Sequence, residues 1–118
     1  MTHQWESVCA FDDLVPDRGS AALVGGHQVA LFRLGDSGAV HAVDHLDPFS
    51  GANVMARGLV GTRQGAPTVA SPMHKQSFDL RSGQCLDDPD VSLRVWPTRV
   101  VDGWVELQVD QAAGGPAR

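Results

Sequence analysis

Near its C-terminal end the chain reads Thr98-Arg99-Val100-Val101, then Asp102-Gly103, then Trp104-Val105-Glu106-Leu107-Gln108-Val109. Asp-Gly supplies the two positive φ angles of a two-residue hairpin turn. In the second arm Val105, Leu107 and Val109 alternate with Glu106 and Gln108, as on a half-buried strand. A second such signal is Ala21–Val24, Gly25-Gly26, then His27–Leu34. After Gly35-Asp36-Ser37-Gly38 comes Ala39–Val43, which predicts a three-stranded meander. Short β-like runs separated by Gly, Pro and Asp clusters recur along the chain, and this spacing predicts an all-β sandwich or barrel rather than a helical or β-α-β protein.

The remaining elements are weaker. Trp5–Ala10 reads as a first strand, and Phe11-Asp12-Asp13-Leu14-Val15-Pro16 as a turn of helix or a loop stopped by proline. From Asp44 to Pro67 the punctuation by Pro48, Gly51, Gly58, Gly61 and Gly65 predicts loop. Thr68–Ala70 and Gln76–Leu80 read as short strands, Arg81-Ser82-Gly83 as a turn to Gln84–Leu86, and Leu93–Pro97 as the lead into the last hairpin. Residues 1–109 are therefore expected to form one domain. Residues 110–118, with their Ala-Ala-Gly-Gly-Pro-Ala, are expected to form a disordered tail.

A length of 118 residues suffices for one core without disulfides or a structural metal. The net charge of -5 offers no basic footprint for phosphate backbones, so nucleic acid is not an expected partner. No apolar run is long enough to cross a bilayer, so no membrane role is expected. The opening Met1–Trp5 lacks the marks of a secretory signal, which leads to a cytoplasmic expectation. Cys9 and Cys85 are far apart, belong to no Cys-x-x-Cys pair, and read as two reduced, largely buried thiols.

Two segments carry chemistry. Val43-Asp44-His45-Leu46-Asp47-Pro48 follows a strand, and Ser71-Pro72-Met73-His74-Lys75-Gln76-Ser77-Phe78-Asp79 precedes one. Together they resemble the Rieske family, which binds a [2Fe–2S] cluster through Cys-x-His in one loop and Cys-x-x-His in a second. Matched motif to motif, His45 and His74 fall on the histidines, and Val43 and Ser71 on the cysteines. The continuation through Phe78-Asp79 to Gly83 also suits the family, and the likeness extends over most of residues 5 to 109. It implies a Rieske-like fold of stacked antiparallel sheets with the two loops at the former cluster tip.

Val43 has no donor atom, and a serine hydroxyl is a poor substitute for thiolate, so no cofactor is expected in this chain. Cys9 and Cys85 lie outside both loops. A lone metal on His45 and His74, with Asp44 or Asp47 as third ligand, lacks any tight ligand spacing and is not expected. His3, His27 and His41 read as structural or solvated. Ser71 beside His74 shows no strained elbow or oxyanion hole, so no catalytic residue is expected.

Within the family, the chain looks most like the small subunits of assimilatory NAD(P)H-dependent nitrite reductases. That resemblance implies a large-subunit partner carrying FAD, an iron–sulfur centre and sirohaem, with nitrite reduced to ammonia there. It also implies an accessory role for this chain, and the two histidine loops are then expected to dock on the large subunit through His45, Phe49, Met73, His74 and Lys75. An autonomous Rieske ferredoxin feeding an oxygenase, and a cluster-free binding module for another redox enzyme, remain open alternatives.

Overall fold

Val29, Ala30, Leu31 and Phe32 are consecutive and all buried. A strand can do this only where both of its faces are covered. The computed structural model describes residues 3–110 and shows how the covering is achieved. Its strands are β1 (His3–Ala10), β2 (Gly19–Val24), β3 (His27–Arg33), β4 (Val40–Asp44), β5 (Leu59–Arg63), β6 (Ala66–Ala70), β7 (Ser77–Asp79), β8 (Val95–Trp96), β9 (Thr98–Val101) and β10 (Trp104–Asp110). Two 3-10 turns, Phe11–Asp13 and Met55–Arg57, complete the elements.

The strands form three antiparallel sheets, ordered β1-β10-β9, β2-β3-β4-β8 and β5-β6-β7. Alternation along β3 divides the core. Val29 and Leu31 join Val24, Ala42, Trp96 and the Val105, Leu107 and Val109 stripe of β10. Ala30 and Phe32 point the other way, into Val43, Met55, Val69, Phe78, Leu80 and Leu93. The architecture is all-β, with the β2-β3-β4-β8 sheet packed between the other two.

Both expected hairpins form, with Gly25 and Gly26 at φ +57° and +83°, and Asp102 and Gly103 at +51° and +80°. The stretch from 44 to 67, expected to be loop, contains the Met55–Arg57 turn, β5 and the start of β6. Gln64 and Gly65, at φ +52° and +81°, make a third hairpin turn there. Of the residues 110–118 expected to form a tail, Asp110 closes β10 opposite His3, and residues 111–118 lie outside the described residues. Cys9 and Cys85 are free thiols in separate core clusters. Among the described residues, no helix is long and apolar enough to cross a membrane.

Gly19 opens β2 directly beneath the Met55–Arg57 turn, where an added Cβ would lie 2.1 Å from the Ala56 carbonyl oxygen. Because the obstacle is backbone, Gly19→Ala is expected to destabilise the fold by about 2 kcal/mol, the usual scale of overpacking. Urea unfolding of the variant against the parent measures it.

Candidate functional site

Two loops leave the fold side by side, one after β4 and one between β6 and β7. They are built the same way. In the first, the Asp47 amide donates to the Ala52 carbonyl at 2.8 Å, and the Gly51 amide donates to the Asp47 carbonyl at 2.8 Å. The Phe49 amide donates to Asp47 Oδ1 at 2.9 Å. In the second, the Ser71 amide donates to the Gln76 carbonyl and the Lys75 amide to the Ser71 carbonyl, both at 2.9 Å. The Met73 amide donates to Ser71 Oγ at 3.2 Å. Each loop has proline in second place, Pro48 and Pro72, and a left-handed residue in fifth, Gly51 at φ +75° and Lys75 at φ +65°.

This repeated pattern makes Asp47 the counterpart of Ser71, and the two side chains meet. Ser71 Oγ donates to Asp47 Oδ2 at 2.6 Å. Asp47 is 0% exposed and Ser71 is 1% exposed. Burial by itself would push the Asp47 carboxyl up, but donors from Ser71, Phe49 and Ser50 outweigh it and hold the group below its ordinary value. The site therefore presents an ionised, hydrogen-bonded carboxylate in a dry position.

The first expected pair stands elsewhere. Val43 is not a loop residue: it lies within β4, paired with Ala30 and Val95, with its side chain in the core. His45 is also buried, at 8% exposure. Its Nδ1 accepts the Ala56 amide at 3.1 Å, while its carbonyl accepts the amides of Val54 and Met55. A ring nitrogen that accepts an N–H carries no proton, so the imidazole is neutral with its proton on Nε2. His45 thus ties the first loop to the Met55–Arg57 turn, and it is buried where a docking contact is expected. Asp44, weighed above as a metal ligand, instead accepts the Trp96 indole N–H at 3.2 Å.

The second loop stands at the surface. Met73, His74 and Lys75 are exposed, and Met73 keeps 52% of its surface in water. Phe49 is half-buried, its ring tilted against Phe78 with centroids 6.1 Å apart. Leu46, 46% exposed, is an apolar residue of the first loop that the sequence reading passed over. Among the described residues no three His, Cys, Asp or Glu side chains converge as a metal site.

The fold and loops define a class. Residues 4–108 match the family described as Rieske-like [2Fe-2S] domain, and the chain belongs to that family, in its nitrite reductase small-subunit branch. The NADH nitrite reductase small subunit of Salmonella typhimurium is 45% identical over 105 residues, covering 89% of this chain and 97% of the relative. A crystal structure of a Mycobacterium tuberculosis chain, provisionally assigned as an NADH-dependent nitrite reductase small subunit, is 50% identical. It superposes with a TM-score of 0.90 over 95% of this chain and 100% of that one. The NAD(P)H nitrite reductase large subunit of Klebsiella oxytoca contains a region 43% identical over 106 residues, 88% of this chain and 11% of the relative.

The residues present do not fit the family's cluster. A [2Fe–2S] centre of this type needs two thiolates, and the paired loop positions hold a carboxylate and a hydroxyl already bonded to each other.

Burial, with the Arg57 charge as a smaller cause, holds the His45 imidazole below its ordinary value of 6.5. The folded state then binds that proton less tightly than the unfolded chain. The stability from neutral His45 is fully present above pH 6.5 and is lost as pH falls through the folded-state value. Burial likewise lowers His41, so both contribute. His45→Asn keeps an acceptor for the Ala56 amide but does not titrate. Urea titrations between pH 7 and pH 5, about the ordinary histidine range, are expected to show a shallower loss of stability in this variant than in the parent.

Proposed function

We propose that this chain is the cluster-free small subunit of a cytoplasmic, assimilatory NAD(P)H-dependent nitrite reductase, and that it acts by docking on the large subunit rather than by carrying electrons. The catalytic chemistry belongs to the FAD, iron–sulfur centre and sirohaem of the large subunit, since a domain without cofactor ligands has no means of passing single electrons. The observation that carries the partner assignment is the Klebsiella chain, in which a domain like this one and the large subunit are one polypeptide. Covalent union in one organism supports non-covalent union in another.

In this reading the family's Cys-x-His falls on Asp47-Pro48-Phe49, and its Cys-x-x-His on Ser71-Pro72-Met73-His74. The repeated hydrogen bonds of the two loops support that register over one beginning at Val43. The variant combining Asp47→Cys, Phe49→His and Ser71→Cys, with His74 native, then restores four ligands. Anaerobic reconstitution with iron and sulfide is expected to give it the absorption and electron paramagnetic resonance spectra of a His-ligated [2Fe–2S] cluster. The pair Val43→Cys and Ser71→Cys is expected to give none. A folded triple variant that takes up no iron would falsify the register.

Docking is assigned to the tip, through Leu46, Phe49, Met73, His74 and Lys75. Exposed apolar side chains beside a flexible cation on a rigid β scaffold are suitable contacts. Met73→Glu with Lys75→Glu is expected to weaken co-purification of the large subunit by roughly tenfold or more, the scale of losing an interface hot spot. Trp104→Glu, on the exposed end of the β9–β10 hairpin, is expected to leave it unchanged. The reverse pattern would move the interface to that hairpin.

A further inference from the structure

The Asp47–Ser71 contact occupies an unusual place in the hydrogen-bond network. Each tip loop closes on itself. Leu46 bridges to Asn53 in the first, and Ala70 pairs with Ser77 at the base of the second. The amides of Asp47, Phe49 and Gly51 are all satisfied within the first loop, and those of Ser71, Met73 and Lys75 within the second. No backbone ladder runs from residues 46–53 to residues 70–77 among the described residues. The one hydrogen bond there that joins loop to loop is Ser71 Oγ to Asp47 Oδ2.

That bond has the properties of a structural element. It is short, at 2.6 Å, and charge-assisted, a kind of bond roughly twice as strong as a neutral pair. It lies where water does not compete, since both residues are essentially without exposure. Each partner is also tied into its own turn. Asp47 spends its other oxygen on the Phe49 amide, and Ser71 Oγ accepts the Met73 amide while donating to Asp47. The hydroxyl therefore links the turn of one loop to the turn of the other through two atoms.

We propose that the Asp47–Ser71 hydrogen bond is a clasp that locks the two tip loops to each other, doing in this chain the mechanical work that a shared metal cluster does where two loops hold one. The proposal rests on the cluster-free reading above. Asp47 and Ser71 are then positioning residues. They touch no partner but hold Phe49 and Met73 at fixed separation, so that the tip is one rigid surface instead of two independent loops.

Amide hydrogen exchange of the isolated chain, read residue by residue by NMR, tests it. Asp47→Ala lies in the first loop, yet it is expected to speed exchange of the Ser71, Met73 and Lys75 amides in the second by roughly tenfold or more, the value of a hydrogen bond to a charged group. Ser71→Ala is expected to do the same to Asp47, Phe49 and Gly51. In both variants the amides of β3 and β10 keep their protection. Asp47→Asn retains an oxygen that can accept the Ser71 hydroxyl, and is expected to recover most of the protection in the second loop. Exchange that quickens only in the substituted loop overturns the clasp. If Asp47→Ala does not fold, Ser71→Ala reads the same transmission from the other side. Iron in the purified parent chain would contradict the cluster-free reading separately, and is measured on the same sample.

Discussion

Burial of the central sheet on both faces organises the molecule. β3 carries apolar side chains at four successive positions, and no single partner layer can cover them. One face takes the β10 stripe, whose alternation is ordinary for a sheet with one wet side. The other takes Val69 and Phe78 from the small β5-β6-β7 sheet, together with Met55. Covering this second face brings β6 and β7 against β4, and so sets the loop between β6 and β7 beside the loop that leaves β4. The placement of the tip is a consequence of how the core is closed.

At the tip, polar chemistry takes over from packing. Of the buried polar residues, His45, Asp47 and Ser71 all belong to the two loops, with Thr68 just before the second. A buried carboxylate is tolerated only when donors surround it, and here the donors come from both loops. His45 plays the complementary part. Its Nδ1 holds the Ala56 amide, and Ala56 in turn rests on Gly19, so the first loop is braced against the start of β2. What reaches solvent is a mixed surface of Leu46, Met73, His74 and Lys75.

Much of this was legible in the sequence. The Asp102-Gly103 and Gly25-Gly26 turns announce their hairpins because those residues accept positive φ without strain. Gln64-Gly65 escapes notice because glutamine is not a usual left-handed residue, and β5 because its side chains are mostly exposed and show no buried alternation. The second loop is readable through Ser71 and His74. In the first, the sequence offers His45, while the structure puts Asp47, four residues beyond Val43, opposite Ser71. The available signal was the repeat itself: Asp47-Pro48-Phe49-Ser50-Gly51 and Ser71-Pro72-Met73-His74-Lys75 share proline in second place and, in the fold, a left-handed fifth residue. Only the backbone reveals that Lys75 adopts the conformation of Gly51.

Two oxygens, Asp47 Oδ2 and Ser71 Oγ, join these loops, and the role proposed for the chain needs no cluster. Expressing the chain anaerobically alongside an active cluster-assembly system, then measuring iron and acid-labile sulfide per folded chain, tests it most directly. Neither is expected above background, from a colourless protein whose Ser71 and Asp47 amides remain protected. Iron and sulfide in equal amounts, with the paramagnetic signal of a reduced [2Fe–2S] centre, would contradict it.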